Sequence, residues 1–198
     1  MKKWLIPLII IVIGVVVIWK FTAGFNNTAV AKEENAKLAW SNVESSYQRR
    51  NDLIGNLVKT VEGAADFERG TLTDVIEARA KATSVNVDAD NLSAAQIQQF
   101  QEAQQGVTSA LSRLLVTVER YPELKANQNF LQLQSQLEGT ENRINVARDR
   151  FNEAVTDYNT YIRVFPNNIF AGMFGFERME RFQADAGAED APDVEFDF

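Results

Sequence analysis

The residue types that could do chemistry in this chain are few. Its 198 residues include no histidine and no cysteine. Imidazole is therefore absent as a general base and metal ligand, and so are thiolate nucleophiles and disulfides. A Ser-His-Asp or Cys-His triad is impossible. Carboxylates, lysines, hydroxyls and arginines remain. Glu141, Glu153 and Asp157 together suggest a carboxylate metal site. The dimetal sites of four-helix proteins use Glu-x-x-His pairs, however, so a solvated acidic face is the expected reading. Asp88 and Asp90 have the alternation of a calcium loop, but the turn glycine and distal glutamate of such a loop are missing. Arg50 is the most informative single residue, because it interrupts an otherwise apolar helix seam. A guanidinium there is partly buried and needs a carboxylate, for which Glu141 is the candidate. We read the pair as structural; the alternative is a conformational or ligand-sensing pair. No catalytic residue, cofactor or metal is expected, and the chain is read as a non-enzyme.

The elements that must position these residues are helices. Ala36, Trp40, Val43, Tyr47, Arg50, Ile54, Leu57, Val61 and Ala64 alternate spacings of four and three, which puts them along one helix face. A second helix is expected from Thr71, with Asp74 completing an acidic capping box, carrying Leu72, Ile76 and Arg79 and ending near Thr83. Residues 84 to 92 read as a loop. Ser93 with Gln96 forms a second capping box, followed by the alternation Phe100, Gln104, Val107, Leu111, Leu114, Val118 and Tyr121, which Pro122 stops. The fourth helix has the strongest pattern: Phe130, Leu133, Leu137, Thr140, Ile144, Ala147, Phe151, Ala154, Tyr158, Tyr161 and Phe165, closed by Pro166. No stretch shows the period-two alternation of a strand. Four amphipathic helices joined by short loops predict an all-α four-helix antiparallel bundle.

Ahead of it, Trp4 to Trp19 is apolar throughout. Those residues rise about 24 Å as a helix, and extension through Phe25 gives about 33 Å, enough for a hydrocarbon core of about 30 Å, with Lys20 snorkelling outward. Residues 1 to 25 are therefore read as a single transmembrane anchor rather than a signal peptide cleaved after Ala31. The short basic start, Lys2 and Lys3, favours a cytoplasmic N-terminus and a bundle outside the cytoplasm. Lys2, Lys3 and Lys20 are the only charges up to Ala31, so a chain of net charge −7 leaves −10 on the remainder. An acidic domain of this kind is a poor ligand for nucleic acid.

Residues 166 to 182 are rich in phenylalanine, interleaved with Gly172, Gly175, Arg178 and Arg181. Phe170, Phe174, Phe176 and Phe182 are candidate interaction residues, although a segment packed back on the bundle is the expected reading. Residues 183 to 198 hold six acids and no base, the composition of a flexible acidic tail.

The sequence of the first helix, Arg49-Arg50-Asn51-Asp52-Leu53-Ile54-Gly55-Asn56-Leu57-Val58, closely resembles the signature of the LemA family. Tyr121, Pro122 and Leu124 are similar to a second block of that family, and Glu141, Asn142, Arg148 and Asn152 to a third. Tyr158, Asn159, Phe165 and Pro166, with Phe174-Gly175-Phe176 and Phe182, resemble its C-terminal block. Gly55 stands where the family usually has proline, and Phe151 where tyrosine is common. The resemblance implies a helical bundle, here residues 26 to 165, on a single span, and no known reaction. The functional expectation is a membrane-anchored scaffold or adaptor that binds another protein of the bacterial envelope, in the cytoplasmic membrane. A ligand-responsive sensor module is the alternative.

Overall fold

The computed structural model describes residues 4–63, 68–89 and 92–182. These are mostly helical, and no strand occurs among them. Six helices follow in order: α1 (Leu5–Glu62), α2 (Arg69–Ser84), α3 (Ala94–Val118), α4 (Pro122–Lys125), α5 (Gln128–Arg163) and α6 (Asn167–Phe174).

α1 is one unbroken helix of 58 residues, about 87 Å long. The apolar segment and the first amphipathic helix of the sequence are thus a single element. Its surroundings change along its length. Described side chains from Pro7 to Phe21 are exposed, whereas Phe25 and Ala29 are buried and every seam residue from Ala36 to Val61 lies in the core. Phe25 therefore belongs to the folded domain, and the change of environment falls between Phe21 and Phe25. Ala64, the last residue of the expected seam, lies outside the described residues, as do Lys2, Lys3, Asp90 and the acidic stretch 183 to 198.

α5 runs antiparallel to α1: Lys32 meets Asp157 at one end of the contact, and Arg50 meets Glu141 further along. Its buried residues, among them Phe130, Thr140, Ile144, Ala147, Phe151, Ala154 and Tyr158, follow the predicted alternation. Leu133, Leu137 and Tyr161 are only half-buried, however, and Phe165, expected to end the seam, lies past the helix and is exposed. Asn127 caps α5 by accepting from the amides of Asn129 and Phe130. The α2–α3 pair packs beside α5 on the same buried face of α1. Ile54, Leu57, Val61, Val75, Val107, Leu114, Leu124 and Phe130 close one apolar cluster drawn from α1 to α5. A second cluster surrounds Trp40, whose ring lies 5.3–5.7 Å from those of Phe100, Phe151 and Phe182.

The boundaries differ from the sequence reading in instructive places. Ser93 and Gln96 form the expected capping box of α3. α2 instead begins at Arg69 behind Glu68, which makes no capping hydrogen bond. Thr71 is already inside the helix, so it cannot cap. Its buried face is Leu72, Val75 and Ala82; Ile76 points to solvent. Two apolar neighbours, Val75 and Ile76, compete for the same turn, and packing against α3 selects the first. α3 stops at Val118 and Pro122 opens the four-residue α4, as suits a residue whose missing N–H is harmless at a helix start.

Leu57 is fully buried and Ile76 is not. Leu57→Asp is expected to destabilise the domain by about 4 kcal/mol or more, against about 0.5 kcal/mol for Ile76→Asp. Chemical denaturation followed by circular dichroism checks this; equal losses would show the face of α2 to be wrongly placed.

Candidate functional site

Two polar constructions interrupt the apolar interior. The first is centred on Arg50, which is only 3% exposed. α1 carries it inward because it falls on the seam, where the i+3/i+4 repeat admits no outward orientation. Its Nη2 donates to the side-chain Oε1 of Gln104 at 2.6 Å and to the Gln104 carbonyl at 3.2 Å. Its Nη1 donates to Thr108 at 3.3 Å and to Glu141 at 3.2 Å. The guanidinium also lies 4.8 Å from the Tyr47 ring centre. One side chain thereby joins α1, α3 and α5.

The Glu141 contact named from sequence is present, but the side chain of Glu141 is 48% exposed. The shortest and most buried contact is to Gln104, a neutral amide. The energetic weight of the crossing therefore sits with Gln104, since an exposed carboxylate left alone is rehydrated at little cost, whereas a buried amide is not. Gln104 carried a signal in the sequence as a polar member of the α3 seam. Seam membership gives depth, however, and not the height at which three helices meet.

The second construction holds the chain after α6. Gly175 ends that helix in the left-handed region, φ +74°, which a residue without Cβ adopts freely. The following non-helical segment, residues 176 to 182, runs back along α5. Asn159 donates to the Met179 carbonyl at 2.8 Å and accepts from its N–H at 3.0 Å. Asn152 does the same for Phe182, at 3.3 and 2.9 Å. Each amide side chain satisfies both backbone groups of one residue, as a neighbouring strand would. The two asparagines are seven residues apart, about 10.5 Å along a helix, and three residues of extended chain cover about 10 Å. Tyr158 donates to the Glu177 carbonyl at 2.9 Å. Burial pushes its phenol up to about 12, with Glu33 and Glu177 adding to the rise and Lys37 opposing it. Arg148 lies over the Phe182 ring at 4.9 Å.

These contacts separate the candidate interaction residues. Phe182 is interior, stacked on Trp40, so it is a core residue of this domain and not an exposed interaction residue. Phe170 and Phe176 are half-buried around Phe25, 5.7 and 5.8 Å from its ring. Phe174 remains largely exposed although it approaches Phe25. Phe165 is exposed, next to Pro166.

Of the other motif residues, Leu53, Ile54, Leu57, Val58 and Leu124 are core, and Tyr121 is half-buried. Arg49, Asp52, Asn56, Pro122 and Asn142 are exposed. Asp157 pairs with Lys32 and Glu141 with Arg50. Among the described residues, no three acidic side chains gather where they could hold a metal ion. At Gly55, the guanidinium of Arg79 covers the helix: a Cβ there would meet its Nη2 at 3.3 Å. Arg79 Nε donates to the Asn51 carbonyl at 2.8 Å. That carbonyl is the one a proline at position 55 would leave without its helical donor, so Arg79 supplies a hydrogen bond suited to either residue.

Two outcomes are expected. In denaturant titrations, Arg50→Met should cost about 2–4 kcal/mol and Glu141→Gln about 1 kcal/mol or less. Double-mutant cycles should give a larger coupling for Arg50 with Gln104 than for Arg50 with Glu141; the reverse order would place the weight on the ion pair. For Tyr158 the folded-state value lies above the unfolded one. The unfolded chain therefore releases its proton first, and stability falls as pH rises from about 10 to about 12. Tyr158→Phe should lose less stability across that interval, as thermal melts at both ends will show.

The LemA family model matches residues 39–196. Magnetosome protein MamQ 2 of Paramagnetospirillum magneticum (strain ATCC 700264 / AMB-1) is 29% identical, over 79% of this chain and 64% of its own length. Magnetosome protein MamQ of Magnetospirillum gryphiswaldense shows the same identity and coverage. Protein LemA of Metamycoplasma hominis is 25% identical over 81% of this chain and 70% of its own. The chain thus spans somewhat under two thirds of the MamQ relatives it matches.

Proposed function

The chain belongs to the LemA family, and from that premise and the geometry above we propose that it is a membrane-anchored helical scaffold or adaptor of the bacterial cell envelope. It acts by holding another envelope protein and performs no reaction of its own. The observation that carries this reading is α1. Its first part has a mean hydropathy of 2.5 over an 18-residue window that is 6% buried. So uniform an exposed apolar cylinder is suited to a non-aqueous surrounding, where a helix satisfies its own backbone groups. The same helix then becomes the central element of the domain without a break.

In this reading α1, α2, α3 and α5 form a four-helix antiparallel bundle, the span lies in the cytoplasmic membrane, and the bundle stands outside the cytoplasm. The absence of histidine and cysteine supports a binding role over catalysis. The occurrence of the domain in relatives called magnetosome proteins and in one called Protein LemA supports a general holding role over one dedicated reaction.

The protein is expected to stay with membranes through an alkaline carbonate wash. Removal of residues 1 to 20, short of the buried Phe25, is expected to release a helical domain into the soluble fraction. A mature N-terminus at Lys32 would overturn the anchor. For the adaptor role, photo-crosslinking residues at the exposed Val116, Leu131 and Val146 should yield a discrete product with a second protein in living cells, and no protein product from any of them would overturn it.

A further inference from the structure

α6 and the turn before it leave an apolar face with no partner in the domain. Phe165 is 81% exposed, Ile169 54% and Met173 72%. Ile169 and Met173 are four residues apart in α6, so they lie along one side of it, and Phe165 is exposed in the turn just before. The other side of α6 is anchored. Phe170 packs 5.7 Å from both Phe21 and Phe25, and Phe174 lies 6.3 Å from Phe25. Phe21 is exposed and ends the apolar stretch of α1, while Phe25 is the first fully buried residue of the domain. The free face of α6 is therefore held beside the point where the apolar stretch of α1 leaves the protein.

A cationic cleft lies between the C-terminal part of α5 and the segment after α6. Arg163, Arg178 and Arg181 line it with Thr156, Thr160 and Asn159, and its lining includes no carboxylate. Arg181 donates to Thr156 at 3.2 Å. Neither Arg163 nor Arg178 forms an ion pair among the described residues. In a domain of strongly negative charge, these three arginines line one cleft suited to an anion, although Arg178 also borders Glu33, Glu177 and Glu180 in the neighbouring cleft.

We propose that α6 is a foot resting in the surface of the bilayer: Phe165, Ile169 and Met173 enter the leaflet beside α1, and the three arginines take the phosphate of an anionic lipid headgroup. The proposal rests on α1 spanning that bilayer, and it adds a second contact whose position the protein fixes. Apolar side chains below and arginines above are the arrangement of a helix that lies in the interfacial plane. Lipid is favoured as the occupant because α6 is held against Phe21, where the exposed apolar stretch of α1 ends.

The absence of native cysteine makes the test direct. Single cysteines replace Ile169, Met173, Val17 in the apolar stretch and the exposed Val116 of α3. Each carries a nitroxide on the full-length protein, reconstituted in phosphatidylcholine vesicles with or without phosphatidylglycerol. Accessibility to oxygen and to a water-soluble nickel chelate is then measured. The labels at 169 and 173 are expected to share the high oxygen and low nickel access of the label at 17, while the label at 116 stays nickel-accessible. Phosphatidylglycerol should deepen positions 169 and 173, and Arg163→Gln with Arg178→Gln and Arg181→Gln should abolish that deepening. Nickel access at 169 and 173 with a lipid-exposed 17 would overturn the foot and leave the span intact. Nickel access at 17 would bring both down. Shielding of 169 and 173 from both reagents would overturn the proposal in favour of a protein cover. Equal depth with and without phosphatidylglycerol would refute the headgroup role of the arginines, and the acidic tail of this chain would become their competing ligand.

Discussion

The long antiparallel contact between α1 and α5 is the constraint on which the other elements depend. Residues of both helices enter all three apolar clusters. α2 and α3 close the cluster around Leu57, and Phe182 closes the one around Trp40. At the end nearest the apolar stretch, Phe25 and Ala29 meet Tyr158 and Ile162. The apolar repeat on each helix keeps its own face, and burying two such faces together removes from water a strip that neither helix could hide alone. The charge at Arg50 lies inside this strip, between the Leu57 and Trp40 clusters. It is tolerated because α3 presents an amide and a carbonyl at that height and because Glu141 reaches it from the half-exposed edge of α5.

What the sequence made legible follows from the same constraint. The inward face of α1 from Ala36 to Val61 and of α5 from Thr140 to Tyr158 could be read from spacing, because helical periodicity is a local property. At the ends of α5 the pattern failed: Leu133 and Leu137 are half-buried and Phe165 lies past the helix. The interior position of Arg50 and its proximity to Glu141 came from that periodicity. The exceptions arose where the pattern was short. In α2, Val75 and Ile76 were indistinguishable by spacing, and the choice between them is made by α3. The capping role expected of Thr71 failed because the helix had already begun. Gln104 could be seen as buried, but its pairing with Arg50 depends on the heights at which three helices cross, which no single-helix period records.

The segment from Phe176 to Phe182 was the least legible. It has no helical period and no strand partner, and its backbone is bound by side chains. The sequence signal lay on the other element: Asn152 and Asn159 sit two turns apart, and each amide matches the N–H and carbonyl of a single residue. Read as isolated motif residues they had no stated purpose. Placed on α5 they form a receptor for a run of main chain whose own side chains, apart from Phe176, Met179 and Phe182, contribute little to the core. This also explains why the four candidate phenylalanines divide as they do. Phe182 anchors the far end of the segment, Phe170 and Phe176 crowd around Phe25, and the exposed apolar surface is left to Phe165 and α6.

The unbroken course of α1 gives the domain a compass bearing. A flexible joint would let the folded part swivel freely about the apolar segment. A continuous helix instead locks the two in rotational phase, since each residue advances the helix by about 100° and about 1.5 Å. One residue inserted ahead of Phe21 would turn every side chain before it by more than a quarter turn relative to Arg50, Trp40 and α6, without altering a single contact in the core. A neighbour that touched both the apolar segment and the domain would find one of its two surfaces facing the wrong way. The helix therefore encodes an angle as well as a length, and that angle is set by residue count.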